Sequence, residues 1–275
     1  MSNRDESVVE GFGQEWTAFD QSGATDQDLQ RAFASYFAVF PWRELPAAAK
    51  GFDLGCGSGR WARLVAPRVG ELHCIDASAE ALDVARRNLG NLPQARFHHA
   101  SVEAIPLPDG SMDFGYSLGV LHHVPDTSAG LSACVRKLKT GAPFLVYLYY
   151  AFDNRPRWFR AVWKMSDWVR RLVSVLPFGL KRVVCEILAA VIYWPLARLA
   201  ALGETLGMAV GNWPLAAYRH STFYIMRNDS LDRFGTRLEQ RFTRAQIAAM
   251  MDGAGLGKVR FNEADSFWCA VGYKR

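Results

Sequence analysis

The stretch Lys50 to Ala62, K-G-F-D-L-G-C-G-S-G-R-W-A, constrains the fold more than any other part of the chain. A short apolar run ends at Asp53, glycines follow at alternate positions (Gly55, Gly57, Gly59), and Arg60, Trp61, Ala62, Leu64 and Val65 begin a helix-compatible pattern. The order predicts a strand, a tight turn and a helix. Glycines at this spacing let the backbone turn sharply and let a ligand approach main-chain N–H groups that a Cβ would shield. The dinucleotide fingerprint G-x-G-x-x-G, counted from Gly55, would need its third glycine at position 60, which is Arg. The pattern is D-x-G-x-G-x-G instead. Asp53, beside the loop, would repel a pyrophosphate but could accept hydrogen bonds from, or pair with, a cationic ligand. These residues point to a charged, phosphate-free cofactor, and Arg60 with Asp53 disfavours an NAD-dependent reductase.

Downstream, short apolar runs at roughly 50–54, 71–76, 96–99, 112–117 and 143–149 alternate with helical patterns, which predicts a parallel sheet with helices on both faces. Ser78 is a candidate N-cap for a helix carrying Ala81, Leu82, Ala85 and Leu89, with Gly90 at its end. Near the C-terminus, T-R-A-Q (Thr243 to Gln246) reads as a capping box, and 258–262 and 267–273 read as two final strands. Ligands of such sheets bind at the carboxyl ends of the strands, where Asp53, Asp76, Ser101 and Leu118 all fall.

On these segments the chain resembles the class I S-adenosylmethionine-dependent methyltransferases, of the type 11-like small-molecule kind. The resemblance implies a Rossmann-like seven-stranded α/β methyltransferase sheet with a helical insertion between strands five and six, and S-adenosyl-L-methionine as cofactor. It implies that Asp53, Gly55, Cys56, Gly57 and Gly59 form the cofactor loop. Asp76, ending E-L-H-C-I-D, would hold the ribose hydroxyls with Ala77 near the adenosine. Ser101, Val102 and Glu103 inherit the adenine contact, and Leu118 lies in S-M-D-F-G-Y-S-L-G-V-L-H-H-V-P-D, the family's fourth strand and methyl-transfer loop. The resemblance covers roughly 45–150 and 240–274.

Length and composition fit that reading. At 275 residues, half of them apolar, the chain holds one α/β domain plus an insertion. The expected organisation is an N-terminal helical segment or lid (1–45), a cofactor core (46–150), a helical, basic and aromatic insertion (151–240), and a helix with a strand hairpin completing the core (241–275). Cys56, Cys74, Cys134, Cys185 and Cys269 are scattered without ligand spacing, so reduced thiols, no metal and a cytoplasmic setting are expected. Cys56 reads as a small residue packed under the ligand rather than as a reactive thiol. The polar start, M-S-N-R-D-E-S, carries no secretory signal pattern.

The insertion departs most from the family pattern. Trp158, Phe159, Val162, Trp163, Trp168, Val169, Leu172 and Leu176 give helical periodicity before Pro177, and Ile187 to Ala197 is an apolar run whose eleven residues are too few to span a bilayer. Between Arg155 and Arg198 stand nine cations against two acids, whereas the whole chain is +5, so the rest sums to −2. Three readings stand: a cap shaping a substrate pocket, a surface for peripheral membrane contact or a lipid-tailed substrate, and a homodimer surface. No nucleic-acid partner is expected, because the cations interleave with core-type apolar residues.

Methyl transfer to a small or lipophilic acceptor, at O, N or C, needs the acceptor aligned with the cofactor and water excluded. A base helps with a hydroxyl or carbon acceptor. His122 and His123, directly after the fourth strand, are the candidate catalytic residues, and either could instead only pack against the cofactor. His220, Tyr218, Arg219 and Tyr224 are weaker candidates. Asp113 reads as a structural cap, and His98 and His99 as strand-end residues without chemistry. Phe12, Trp16 and Phe19 in F-G-Q-E-W-T-A-F form either a lid or ordinary core. The alternative function is a non-catalytic cofactor-binding regulatory or scaffolding member of the same fold.

Overall fold

The computed structural model describes residues 3–264 and 267–275 and divides into two compact units, the first built from 1–20, 30–153 and 238–275 and the second from 21–29 and 154–237.

The first unit opens with α1 (Glu6–Ala18), whose N-terminus is capped by Asp5, its carboxylate accepting from the Ser7 and Val8 N–H groups. Helix α2 (Asp26–Tyr36) crosses the boundary between the units, and its end lies short of Pro41. Then β1 (Lys50–Leu54), α3 (Ala62–Val65), β2 (Glu71–Asp76), α4 (Ala79–Leu89), β3 (Ala95–His99), β4 (Phe114–Leu118), α5 (Thr127–Lys137) and β5 (Pro143–Tyr147) alternate as the sequence leads one to expect. The strands lie in the order β3-β2-β1-β4-β5 and are parallel, and β7 (Cys269–Lys274) and β6 (Leu256–Phe261) close the seven-stranded sheet as an antiparallel hairpin after β5.

Burial explains the strand sequences. Every residue of β4 and all but the end residue of β1 and β5 are buried, so these strands are almost wholly apolar, while the outer strand β6 alternates. On β1 and β4 glycine faces phenylalanine reciprocally. Gly51 pairs with Phe114 and Phe52 with Gly115, and a Cβ on either glycine would come within 2.4 Å of the opposing ring. The two strands that flank the crevice described below are thereby packed as tightly as side chains allow. Ser78 caps α4, its hydroxyl accepting from the Ala81 N–H, and Thr243 and Gln246 form a reciprocal capping box on α10 (Arg244–Gly253). Asp113, just ahead of β4, accepts from the Lys50 N–H at 2.8 Å and pairs with Lys139.

The second unit packs α6 (Arg157–Val173), α7 (Phe178–Leu188), α8 (Trp194–Thr205) and α9 (Phe223–Gly235). A π turn at Ala189–Tyr193 joins α7 to α8, so Phe178–Thr205 is one helix of 28 residues. This corrects the expectation of an isolated eleven-residue run: Pro195 removes one N–H and crowds the carbonyl four residues earlier, and the π turn just before it absorbs that misfit without ending the helix. By length and composition the helix is sufficient to cross a membrane. Residues 21–29 also belong to this unit, the Gln21 N–H donating to the Tyr224 hydroxyl at 2.9 Å, so the expected 1–45 segment is split. His220 and Arg219 pair with Glu204 within the unit.

Candidate functional site

The chain runs outward from β1 to β2 and β3 and then crosses back to β4, which makes the gap between β1 and β4 the switch point of the sheet. A cavity opens there, lined by the ends of β1, β2 and β4, by the segments after β3 and β4, and by α1 with the residues just before it.

The turn after β1 forms its floor. The Gly55 and Cys56 N–H groups both donate to the Ile75 carbonyl, and Gly55, Gly57 and Gly59 all have positive φ. At Gly57 (φ +53°) a Cβ would also stand 2.8 Å from the Trp16 indole, so glycine is required twice over. The Gly57 N–H donates to Asp76 Oδ2 at 2.8 Å, and the Ser78 N–H to Oδ1 at 2.9 Å. Asp76 lines the cavity, and burial raises its carboxyl above the ordinary range against the lowering effect of these bonds. Cys56 lines it too, but the hydrogen bond its S–H donates to Cys74, and burial, hold its thiol far above the usual range, so it is protonated and inert.

Ala77, Ala100, Ser101 and Val102 supply one wall, and Leu118, Gly119, Val120 and Val124 another. His123 faces the cavity with its Nδ1 2.6 Å from the Leu238 carbonyl oxygen. A carbonyl only accepts, so Nδ1 carries a proton, and in the neutral form of the ring the lone pair is on Nε2. The roof is α1: Val8, Val9, Phe12 and Trp16 line the cavity at helical spacing, and the Phe12 ring lies 5.0 Å from that of His123. Asn3 ties the preceding segment to the wall by donating to the Asp126 carbonyl and accepting from the Asp126 N–H.

Several expected residues stand elsewhere. Asp53 is 1 % exposed and lies beneath the loop, not on the cavity. Burial pushes its carboxyl up to about 8, the Tyr116 hydroxyl lowering and the Asp76 charge raising it, so a neutral acid and not a carboxylate faces the loop at pH 7. Gly57 and Gly59 shape the turn without being among the described lining residues, and Glu103 turns to accept from the Asn3 N–H. His122 is fully buried off the cavity, its ring stacked 3.8 Å from that of Tyr149 and its Nδ1 accepting from the Tyr149 N–H. Burial, then the neighbouring His123 and Arg241, hold it neutral well below the usual histidine range. Phe19 is core, and His98 and His99 bond to His73 and to the Ala77 carbonyl.

Arg60 was not singled out from the sequence as a ligand residue, though it lines the cavity. Its guanidinium rests 4.4 Å over the Trp61 ring, and its buried Nε has no hydrogen-bond partner among the described residues. The V-V-x-x-F-x-x-x-W spacing behind Asp5 was the signal that could have marked α1 as the roof.

Fold and site together are those of a Rossmann-like seven-stranded sheet with a cavity at its switch point. Residues 52–146 match the family model described as methyltransferase domain. A malonyl-[acyl-carrier protein] O-methyltransferase from Serratia marcescens is 25% identical over 182 residues, 66% of each chain. Among solved structures, a chain of the Haloferax volcanii complex between the Trm112 methyltransferase activator and a methyltransferase superposes with a TM-score of 0.53 at 15% identity, covering 97% of this chain and 96% of that one. A SAM-dependent methyltransferase from Thermotoga maritima gives 0.50 at 14%, covering 95% and 100%. At such identities the structural likeness is one of fold. The chain spans about two thirds or less of the length of the curated relatives it matches. The segment 52–146 thus matches a methyltransferase domain, and the chain carries the sheet found in the class I methyltransferases, a family whose cofactor is S-adenosylmethionine.

Proposed function

We propose that the protein transfers a methyl group from S-adenosylmethionine to an O, N or C atom of a small or lipophilic molecule. The observation that carries this is the convergence, in one cavity at the switch point, of an acid ending β2, a glycine turn, a guanidinium whose Nε has no hydrogen-bond partner among the described residues, and a histidine whose Nδ1 is held by a carbonyl. When bound, the cofactor supplies an activated methyl on a sulfonium sulfur. Asp76 is suited to accept from the ribose hydroxyls, with Ala77, Ala100, Ser101 and Val102 against the adenosine. The orphaned Nε of Arg60 suits the carboxylate of the amino-acid tail. Phe12 and Trp16 exclude water, and His123 Nε2 takes the acceptor's proton where the acceptor needs one removed. His122, buried and neutral, packs against His123 and Tyr149 and takes no part in proton transfer. Five buried free thiols support a reducing, cytoplasmic setting.

Isothermal titration with S-adenosylmethionine tests the reading: binding in the micromolar range, lost on Gly57→Arg, supports it, and no binding by the wild type removes it. Turnover to S-adenosylhomocysteine with an acceptor separates an enzyme from a non-catalytic cofactor-binding module.

A further inference from the structure

Soluble helices turn their apolar side inward, and α6 does the reverse. Trp168 is 73 % exposed, Leu172 71 % and Met165 70 %, with Trp158 and Val162 continuing the same face. The inward face carries a buried ion pair beside Val173: Asp167 and Arg170 are buried and paired at 2.7 Å, and Arg170 also donates to the Thr236 carbonyl. Directly beside the exposed apolar face, on the same helix, stand Arg157, Arg160 and Lys164, with no acidic partner among the described residues, and Arg171.

The Phe178–Thr205 helix repeats the arrangement. Leu180, Val183, Ile187, Val191, Leu199 and Leu202 form an exposed stripe along its length. Its other side is committed to protein. The Ser230 hydroxyl donates to the Cys185 carbonyl, Arg227 pairs with Glu186, and Arg198 donates to the Ser221 carbonyl. Spanning a bilayer would carry Glu186 and Arg198, each well inside the helix, and the polar partners on α9 into hydrocarbon. Lying in the interface requires none of that. The apolar stripe enters the acyl boundary while the packed side stays with the protein, and Trp side chains suit the headgroup depth.

We propose that the second unit docks the protein on the surface of anionic phospholipid bilayers through α6 and the Phe178–Thr205 helix, without crossing them. The occupant follows from charge complementarity: nine cations against two acids between Arg155 and Arg198, with the unpaired ones at the rim of the apolar face. This stands apart from the methyl-transfer reading, since its readout involves no cofactor.

The test is flotation of the full chain with vesicles of phosphatidylcholine alone or with added phosphatidylglycerol. The expected result is co-flotation with the anionic vesicles only, reversed by high salt and accompanied by a blue shift of tryptophan emission. R157Q/R160Q/K164Q and W168E/L172E, all at exposed positions and checked for unchanged circular dichroism, should each weaken binding about tenfold or more. No flotation at low salt overturns the proposal. So does insertion that resists salt and alkaline extraction, which would mean a spanning helix. A wild-type dimer that W168E/L172E converts to monomer, without vesicle binding, would give the face to a second copy of the chain and equally overturn it.

Discussion

The Gly57 N–H donates to Asp76 Oδ2 across 2.8 Å, so the turn after β1 and the acid ending β2 are one hydrogen-bonded assembly. Hydrogen bonds to a charged acceptor contribute about 1.5–3 kcal/mol, and Asp76 accepts from both Gly57 and Ser78. Asp76→Ala should therefore lower the melting temperature and weaken S-adenosylmethionine binding about ten- to a hundredfold, with Asp76→Asn in between. Calorimetric titration of the three proteins reads this directly, and equal affinities would detach the acid from the ligand.

Gly57→Ala places a methyl group 2.8 Å from the Trp16 indole at a φ of +53°, a backbone strain of about 1–2 kcal/mol before the clash is counted. We expect a lowered melting temperature and lost cofactor binding. Adding Trp16→Ala should recover the clash but not the strain, which a double-mutant cycle in thermal denaturation resolves.

Asp53 retains its proton in the folded chain up to about 8, whereas its ordinary value is 3.8. Between those values the unfolded chain has released a proton that the folded one holds, so stability falls as pH rises through this window. Asp53→Asn should flatten the slope and be more stable than wild type at pH 8. Melting curves across the window check it, and parallel slopes would show that Asp53 ionises freely.

The two adjacent histidines should separate by experiment. His123→Gln is expected to lower kcat about 10²–10⁴-fold for an acceptor needing deprotonation while leaving S-adenosylhomocysteine affinity little changed. His122, held neutral by burial, costs stability as pH falls below its ordinary 6.5, because only the unfolded chain then takes up the proton. His122→Gln should remove that acid-side loss in melting experiments and leave the proton-transfer step in place.

Thr243 accepts from the Gln246 N–H while Gln246 accepts from the Thr243 N–H. Thr243→Ala should cost about 1 kcal/mol in urea denaturation, with no effect on cofactor binding.

The core of the fold was readable from local chemistry. The apolar run into the glycine turn gave β1 at its observed ends, Ser78 and Thr243 announced two helices by capping, and the final hairpin followed from two short runs beyond α10. What escaped was decided by tertiary packing. Whether Asp53 or Asp76 meets the cavity depends on which strand end is roofed over, and periodicity along one strand carries no such information. His122 and His123 are adjacent in sequence, yet the short 3₁₀ turn at Leu121–His123 turns one ring into the core and the other toward the cavity. The length of the second unit's long helix was hidden by Pro195, which normally marks a helix end and is tolerated here only because a π turn precedes it.

All five cysteines are buried as free thiols, and they are shared unequally: Cys185 lies in the second unit and the other four in the first. Alkylating reagents should consequently be silent toward the native protein, and each modified peptide seen by mass spectrometry dates an opening event in one unit or the other. The chain thus carries its own set of unfolding clocks, and a cysteine introduced on the surface can be labelled without first stripping the natural ones.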